Sequence, residues 1–463
     1  MEHLFRRGEQ GSEKGENSVN DAVNHFIQQV LERIQYKKIR QNISLEIQDH
    51  IEESKNALME SGMPEEEACS KAVQQMGDPC SVGDALNRVH RPRCALSLFF
   101  LIGILAAAGI VIQFFHGRTF PDTLNYVKQI VYFVLGAGCL FSLYFFNYRL
   151  LYRLSLPGFL AVNALFAILF HLCGDSTYGR SFLHVSGVTF QPSLLLLLFN
   201  LVFYAGIVKR FCTGNAKGFA VVICLPLLPF FLMLQIPSMA GALLMAAGFY
   251  AILAVWITCP EYRGSRRKTL YFLIGGVFLL CAAALLFFLT EPYRLERLTA
   301  FLHPEQDMEG GGWVNYQIRM LLQQSNWIGD SGKLTAPIGT GGAAVPMIPG
   351  LSTDFVLDFV IGRFGWLAGA AVMGILLITI VQLTRTCLKI RESYGRVLSF
   401  SICAVFSLQV LINLMISLNL LPIISISLPF LSFGGSSYLV NMAMLGLLLG
   451  IYRRKDVTML ETA

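Results

Sequence analysis

At 463 residues the length alone allows about two to four soluble domains, but hydrophobic residues make up 54% of the chain and charged ones only 14%, against about 25% charge in a soluble domain. A chain this apolar belongs in a bilayer. Eleven cysteines with no CxxC pair exclude a disulfide framework or structural zinc site, and the net charge of +6 reads as loop orientation, with no nucleic acid as partner.

Residues 1–19 form a Gly/Glu/Ser-rich flexible tail without the apolar core of a signal peptide. From residue 20 the pattern turns helical. Val23, Phe26, Ile27, Val30 and Ile34 recur at helical spacing, followed by Ile43, Ile47, Ile51 and Leu58. Ser61-Gly62 stops that run. Pro64 with Glu65-Glu66-Glu67 restarts a helix, proline and acids suiting its positive end, and Gly77-Asp78-Pro79 closes it. Residues 20–92 are predicted to be a small cytosolic helical domain whose Glu-rich faces are solvated surface.

Ten apolar stretches follow, each of roughly 17–25 residues and able to cross about 30 Å of hydrocarbon. They lie near 94–115, 126–146, 154–173, 192–208, 217–235, 238–259, 269–290, 354–383, 396–419 and 430–452. Arg149 and Arg153, Lys209 and Arg210, Arg266 to Lys268, and Arg385 to Arg396 make every alternate connection basic. The positive-inside rule then places both termini in the cytoplasm, with a tail from 456 to 463. Two substantial connections fall on the opposite face, about 174–191 and about 291–353. A connection of that second length is functional when folded.

Asp354 sits where this long loop meets the next span, with Asp358 one turn further on the same face. An ionisable residue inside a membrane costs about 2.5–3.5 kcal/mol on insertion scales, so both are functional candidates. The competing reading makes Asp354 a helix cap and leaves Asp358 facing Arg363 or water.

Several motifs resemble one family. Tyr293-Arg294-Leu295-Glu296-Arg297-Leu298 with Phe301-Leu302, then Tyr316-Gln317, Gln324-Ser325 and Ile328-Gly329, are similar to the large outer loop of the SEDS family (FtsW, RodA, SpoVE), including its YQ…QS…IGSGG run. Thr353-Asp354-Phe355 with Gly365 resembles HTDFIFAVIGEELG, and Gly179-Arg180 with Gln191-Pro192-Ser193 resembles GxRRW…FQPSE. Gln409 and Asn413, followed by Leu421-Pro422 and Ser427 to Ser437, resemble Q-x-x-x-N and GLLP…IPLPFISYGGSS. The resemblance runs in order from about 94 to 455.

The resemblance implies an all-α polytopic membrane protein of about ten transmembrane helices, residues 93–455, in a bacterial cytoplasmic membrane. The implied activity is peptidoglycan glycosyltransfer from lipid II at the outer face, in cell division, cell shape or sporulation, with a class B penicillin-binding protein transpeptidase as partner. In that chemistry a sugar 4-hydroxyl attacks an anomeric carbon whose leaving group is a lipid pyrophosphate. Pyrophosphate leaves as a stable anion and needs no acid, unlike a glycosidase's alcohol. One base therefore suffices, with cations to hold the phosphates. Asp354 matches the family's catalytic aspartate, and Asp358 is an auxiliary acid candidate. Arg180, Arg294, Arg297 and Lys333 are cations for the pyrophosphate, with Arg319 also on this face. Gln191, Tyr316, Gln317, Gln324 and Ser325 are substrate hydrogen-bonding candidates. Gly434, Gly435 and Ser436 either cradle phosphate at a helix start or let helices approach closely. No cofactor is required, and a divalent cation such as Mg2+ stays open because no compact set of acids marks its site.

The departures from the family remove charge. Its QPSE-x-x-K reads here with Leu194 and Leu197, its QPDLGT aspartate is Ser238, its histidine before Thr-Asp is Ser352, and its paired glutamates are Gly362 and Arg363. Joint loss of both members of an ion pair leaves a fold intact but puts catalysis in question. Two alternatives therefore stand beside the enzyme: a catalytically silent adaptor that binds lipid II or a transpeptidase, and, more remotely, a lipid II flippase.

Overall fold

The structure, a computed structural model, describes residues 22–35, 40–90, 94–120, 125–177, 180–185, 188–212, 216–235, 238–289, 292–306, 310–336 and 345–455. The chain divides into two compact units, residues 1–94 with 453–463 and residues 95–452. In the first, the apolar spacings produce helices α1 (22–33), α2 (Arg40–Glu60), α3 (Glu65–Gln75) and α4 (Pro79–His90). Val30, Ile34, Ile43, Ile47, Ile51 and Ala72 close a buried core, so the two apolar faces meet each other. Lys55 of α2 donates to Glu65 of α3 at 2.9 Å, a hydrogen bond that holds the lysine pKa above its ordinary value.

The second unit is helical and spans a membrane several times. In chain order it contains α5 (Leu96–Thr119), α6 (Asn125–Phe145), α7 (Arg149–Arg153), α8 (Ser155–Cys173), α9 (Pro192–Phe211), α10 (Ala216–Cys224), α11 (Leu227–Gln235) and α12 (Met239–Trp256). Then come α13 (Arg266–Leu289), α14 (Pro292–Leu302), α15 (Trp313–Gln324), α16 (Val356–Phe364), α17 (Trp366–Leu388), α18 (Ser393–Ser417) and α19 (Gly435–Arg453). Among the described residues, α5, α6, α9, α12, α17, α18 and α19 are each long and apolar enough to cross a bilayer. Leu96, Phe100, Leu135, Leu367 and Ile378 stand exposed on these helices, as side chains facing lipid do. The interior is knit by polar contacts as well as packing. Asn163 of α8 donates to Asn200 of α9 at 2.8 Å, and Glu392 caps α18 through the Tyr394 and Gly395 amides while pairing with Lys209 at 3.3 Å. Such links between helices replace the hydrophobic drive that lipid does not supply.

Two expected spans are broken. The stretch 217–235 is α10 and α11 separated by a turn at Leu225-Pro226, where proline lacks the amide that would continue the ladder. The stretch 354–383 is α16 and α17 meeting at Gly365, whose backbone lies at φ 92° and ψ 172°. The all-α membrane fold carries short strands in its connections. The connection after α8 is a three-stranded antiparallel sheet, β1 (Gly174–Thr177), β2 (Arg180–Val185) and β3 (Val188–Phe190). Its Val, Thr and Phe content suits strands. The described residues between 292 and 353 form α14, α15 and a ladder of β4 (Thr335–Ala336) with β5 (Val345–Pro346).

A charged cavity mouth with neutral walls: the candidate active site

The turn that carries Asp354 is built by its own sequence. Thr353 and Phe355 amides both donate to the Gly350 carbonyl, at 3.0 and 3.1 Å, folding 350–355 into a tight loop before α16. Phe355 occupies the N-cap position of α16 with no side-chain cap, so Asp354 stands one residue ahead of the helix. Asn413 of α18 fixes the turn from the side, donating to the Asp354 carbonyl at 2.8 Å and to the Ile426 carbonyl at 2.6 Å. Asp354 itself is 8% exposed.

This turn forms one wall of a cavity of about 430 Å³. The facing wall is the start of α19, Gly434 to Ser437, and Gln191 and Ser193 come from the entry to α9. The Gln191 amide donates to Ser436 Oγ at 3.1 Å, joining those two walls. Asp354, Gln191, Gly434, Gly435 and Ser436, drawn from three distant parts of the sequence, therefore converge. At the glycine–serine run the start of a long helix opens on the cavity, and a Cβ at Gly435 would come within 2.8 Å of the Tyr132 ring.

Among the described side chains, the other site candidates do not line this cavity. Asp358, on the first turn of α16, is fully buried and is not among the residues that line the cavity. Tyr316 and Gln317 are half-buried on α15, and Gln324 and Lys333 are exposed. Ser325 ends α15, its hydroxyl donating to the Leu321 carbonyl at 2.7 Å. Arg319 pairs with Glu305 at 3.4 Å. The backbone of Arg180 lies in β2 and that of Arg294 and Arg297 in α14, but their side chains fall outside the described residues.

Several lining residues escaped the sequence reading as site residues: Tyr132, Ser193, Gln409, Ser425 and Ser427. The last two had a signal. Serine alternates with isoleucine and leucine over 424–428; Ser425, Ile426 and Ser427 all line the cavity, and the period of two leaves Ile426 and Leu428 more buried than the serines.

The departures from the family motifs have local explanations. Leu194 lines the cavity and Leu197 is fully buried behind it, an apolar wall continued by Ala240 and Leu244. Ser238 caps α12, accepting from the Gly241 amide at 3.2 Å. Arg363 forms an ion pair with Asp330, the residue at the serine of the family's IGSGG run, so a reversed charge has acquired an opposite one. Backbone bonds extend that link: Gly329 donates to the Phe364 carbonyl at 3.0 Å and Ser331 to the Gly362 carbonyl at 2.9 Å. The two side chains are 35% and 41% exposed, so their coupling is expected to be under about 1 kcal/mol. A double-mutant cycle on melting temperature checks this: Arg363→Glu should destabilise, and adding Asp330→Arg should restore the loss.

Electrostatically the cavity has a single carboxylate among neutral oxygens and apolar carbons, and no cationic side chain lines it among the described residues. Nor do three or more His, Cys, Asp or Glu side chains converge anywhere among them. One carboxylate with hydroxyls and amides does not make a resident divalent-cation cage, which takes six or more oxygens with several carboxylates or waters. A lone carboxylate facing neutral donors and acceptors suits a polyhydroxylated ligand from which it takes a proton.

The comparisons with known proteins agree with this architecture. The FTSW_RODA_SPOVE family model, described as a cell cycle protein, matches residues 91–456. The probable peptidoglycan glycosyltransferase FtsW of Trichlorobacter lovleyi is 26% identical over 367 residues, 77% of this chain and 90% of that protein. Its counterpart in Geobacter sulfurreducens is 27% identical over 372 residues, 78% of this chain and 93% of that protein. Among solved structures, a chain from the work on structural coordination of polymerization and crosslinking by a peptidoglycan synthase complex matches with a TM-score of 0.62 at 25% identity. It covers 78% of this chain and 98% of that one. The rod shape determining protein RodA of Thermus thermophilus shares the fold, with a TM-score of 0.55 at 22% identity over 78% of this chain and 96% of its own. With the family model covering most of its length and the same fold in solved relatives, this multi-pass membrane protein belongs to the FtsW/RodA/SpoVE family.

Proposed function

We propose that the chain is a peptidoglycan glycosyltransferase that polymerises lipid II at the cavity beside Asp354. The observation that carries this reading is the convergence of the one lining carboxylate with the α19 start and the α9 entry on a single cavity. In the step proposed, the acceptor's 4-hydroxyl oxygen bonds to the donor's anomeric carbon as the bond from that carbon to the pyrophosphate oxygen breaks. Asp354 takes the hydroxyl proton, and undecaprenyl pyrophosphate leaves with the electron pair. The neutral walls hold sugar hydroxyls and amides through Gln191, Gln409, Ser427 and Ser436. Pyrophosphate charge is met outside the cavity, by cations of the long connection such as Lys333, Arg294 and Arg297. Both termini are cytoplasmic in this reading, which puts the cavity mouth at the outer face. A class B penicillin-binding protein is the proposed partner, consistent with the synthase complex whose chain shares this fold.

One observation favours a second reading. Leu194 and Leu197 replace charged family residues at the cavity wall, as a silent adaptor that binds lipid II without turning it over would tolerate. Purified full-length protein, reconstituted with its transpeptidase and given lipid II, separates the two. Glycan ladders on a gel are expected; folded, partner-bound protein that makes none sets the adaptor reading in place of the enzyme.

A further inference from the structure

Gln113 is a lone amide in the apolar run of α5, far in sequence from every motif above, and it is fully buried. Its Nε2 donates to the Ser352 carbonyl at 3.0 Å and to the Leu431 carbonyl at 3.2 Å. The Ser352 carbonyl also accepts from the Phe433 amide at 2.7 Å. These two carbonyls belong to the two segments that flank the cavity: one leads into Thr353 and Asp354, the other into Phe433 and Gly434.

The neighbourhood is built for this contact. One turn earlier on α5, Gly109 leaves room for the Phe430 carbonyl, since a Cβ there would stand 2.1 Å from that oxygen. Phe430 holds φ at 67°, a conformation that persists only when its surroundings over-determine it. Gln129 of α6 donates to the same carbonyl at 3.2 Å. The Oε1 of Gln113 has no partner among the described residues, and the amide contributes its two donated hydrogen bonds. In lipid-embedded structure an amide is retained where backbone groups outside a helix ladder need a donor.

We infer that Gln113 is a positioning residue for the Asp354 carboxylate: by clamping the Ser352 and Leu431 carbonyls together it sets the carboxylate's place relative to the Gly434–Ser437 wall. The inference rests on the reading of Asp354 as the base. A displacement of about 1 Å at a reacting group costs on the order of 10²-fold in rate, so the clamp acts on turnover and not on affinity.

The test uses the full chain reconstituted with its transpeptidase. Gln113→Met keeps the side chain's length and removes the donors. The expected result is a kcat for lipid II polymerisation lower by about 10–100-fold, with KM within about twofold. Hydrogen exchange should rise in peptides covering 350–356 and 428–434 and stay unchanged across α9 and α12. Unchanged kcat and unchanged local exchange overturn the inference. So does exchange that rises evenly through the bundle while activity falls with protein level, which is general destabilisation. If Gln113→Met does not accumulate, Gln113→Asn, with its donor one methylene short, carries the same kinetic and exchange comparison. If the wild type itself makes no polymer, the reading of Asp354 as base fails, while local exchange still decides whether Gln113 holds the turn.

Discussion

Asp354→Asn is expected to lower lipid II polymerisation by about 10²–10⁴-fold, the range that a positioned general base contributes, while melting temperature and yield stay at wild-type values. The structural cost is expected to be small because Asp354 stands one residue before the N-cap of α16, outside the helix ladder. The contact that fixes the turn from α18 goes to the Asp354 backbone carbonyl, which asparagine retains. An amide of the same shape keeps the cavity's volume and cannot take the proton. Asp358→Asn is the matched control. Its carboxyl lies fully buried and off the cavity, so polymerisation is expected to persist. Gel quantification of glycan product from both variants, normalised to folded protein, checks the pair. Loss of activity in Asp358→Asn with retention in Asp354→Asn contradicts the assignment.

Gly365→Ala is expected to be strongly destabilising. At φ 92° and ψ 172° the residue lies in a region that only glycine adopts readily, where a side chain costs about 1–3 kcal/mol. Its added Cβ would also meet the Trp327 carbonyl oxygen at 2.6 Å and the Ile328 Cα at 2.8 Å, both backbone atoms that cannot swing aside. Overpacking of this kind adds about 1–3 kcal/mol. The total, about 2–6 kcal/mol, falls on the joint where 326–331 runs against the end of α16: the Trp366 amide donates to the Asn326 carbonyl and the Leu367 amide to the Trp327 carbonyl, each at 3.0 Å. Thermal unfolding in detergent should show a clear fall in melting temperature. Polymerisation should fall more than the unfolded fraction explains, because α16 carries the Asp354 turn at its other end. A variant with wild-type melting and activity contradicts this account of the joint.

The membrane domain was legible because its signals are collective. A run such as Leu96 to Phe115 leaves no soluble alternative, and the position of Asp354 at the end of a loop and the start of an apolar segment marked it as costly. Motif order also placed Gln191 and Gly434 to Ser436, which the fold brings to one cavity. Less was legible where a side chain's role depends on what it faces. Asp358 has the spacing of a partner for Asp354, yet the turn at 350–355 sends the two carboxyls to different surroundings. Arg363 reads as a hostile charge reversal until Asp330, 33 residues away, is seen beside it. Gln113 gave a signal, a single amide in hydrocarbon, but the carbonyls it serves lie 239 and 318 residues away. No local pattern reaches that far. The sheet at 174–190 was missed for another reason: each strand has only three to six residues, too short for alternation to stand out.

The central claim is that the cavity between Asp354 and the α19 start is where the growing glycan reacts. Photo-crosslinking tests it most directly. Lipid II carrying a diazirine on a sugar is irradiated with full-length Asp354→Asn protein, and the adducts are mapped by mass spectrometry. The account predicts adducts on the cavity wall, at Gln191, Thr353, Gln409 or Ser436, competed by unlabelled lipid II. Specific, competable adducts confined to residues outside that wall contradict it.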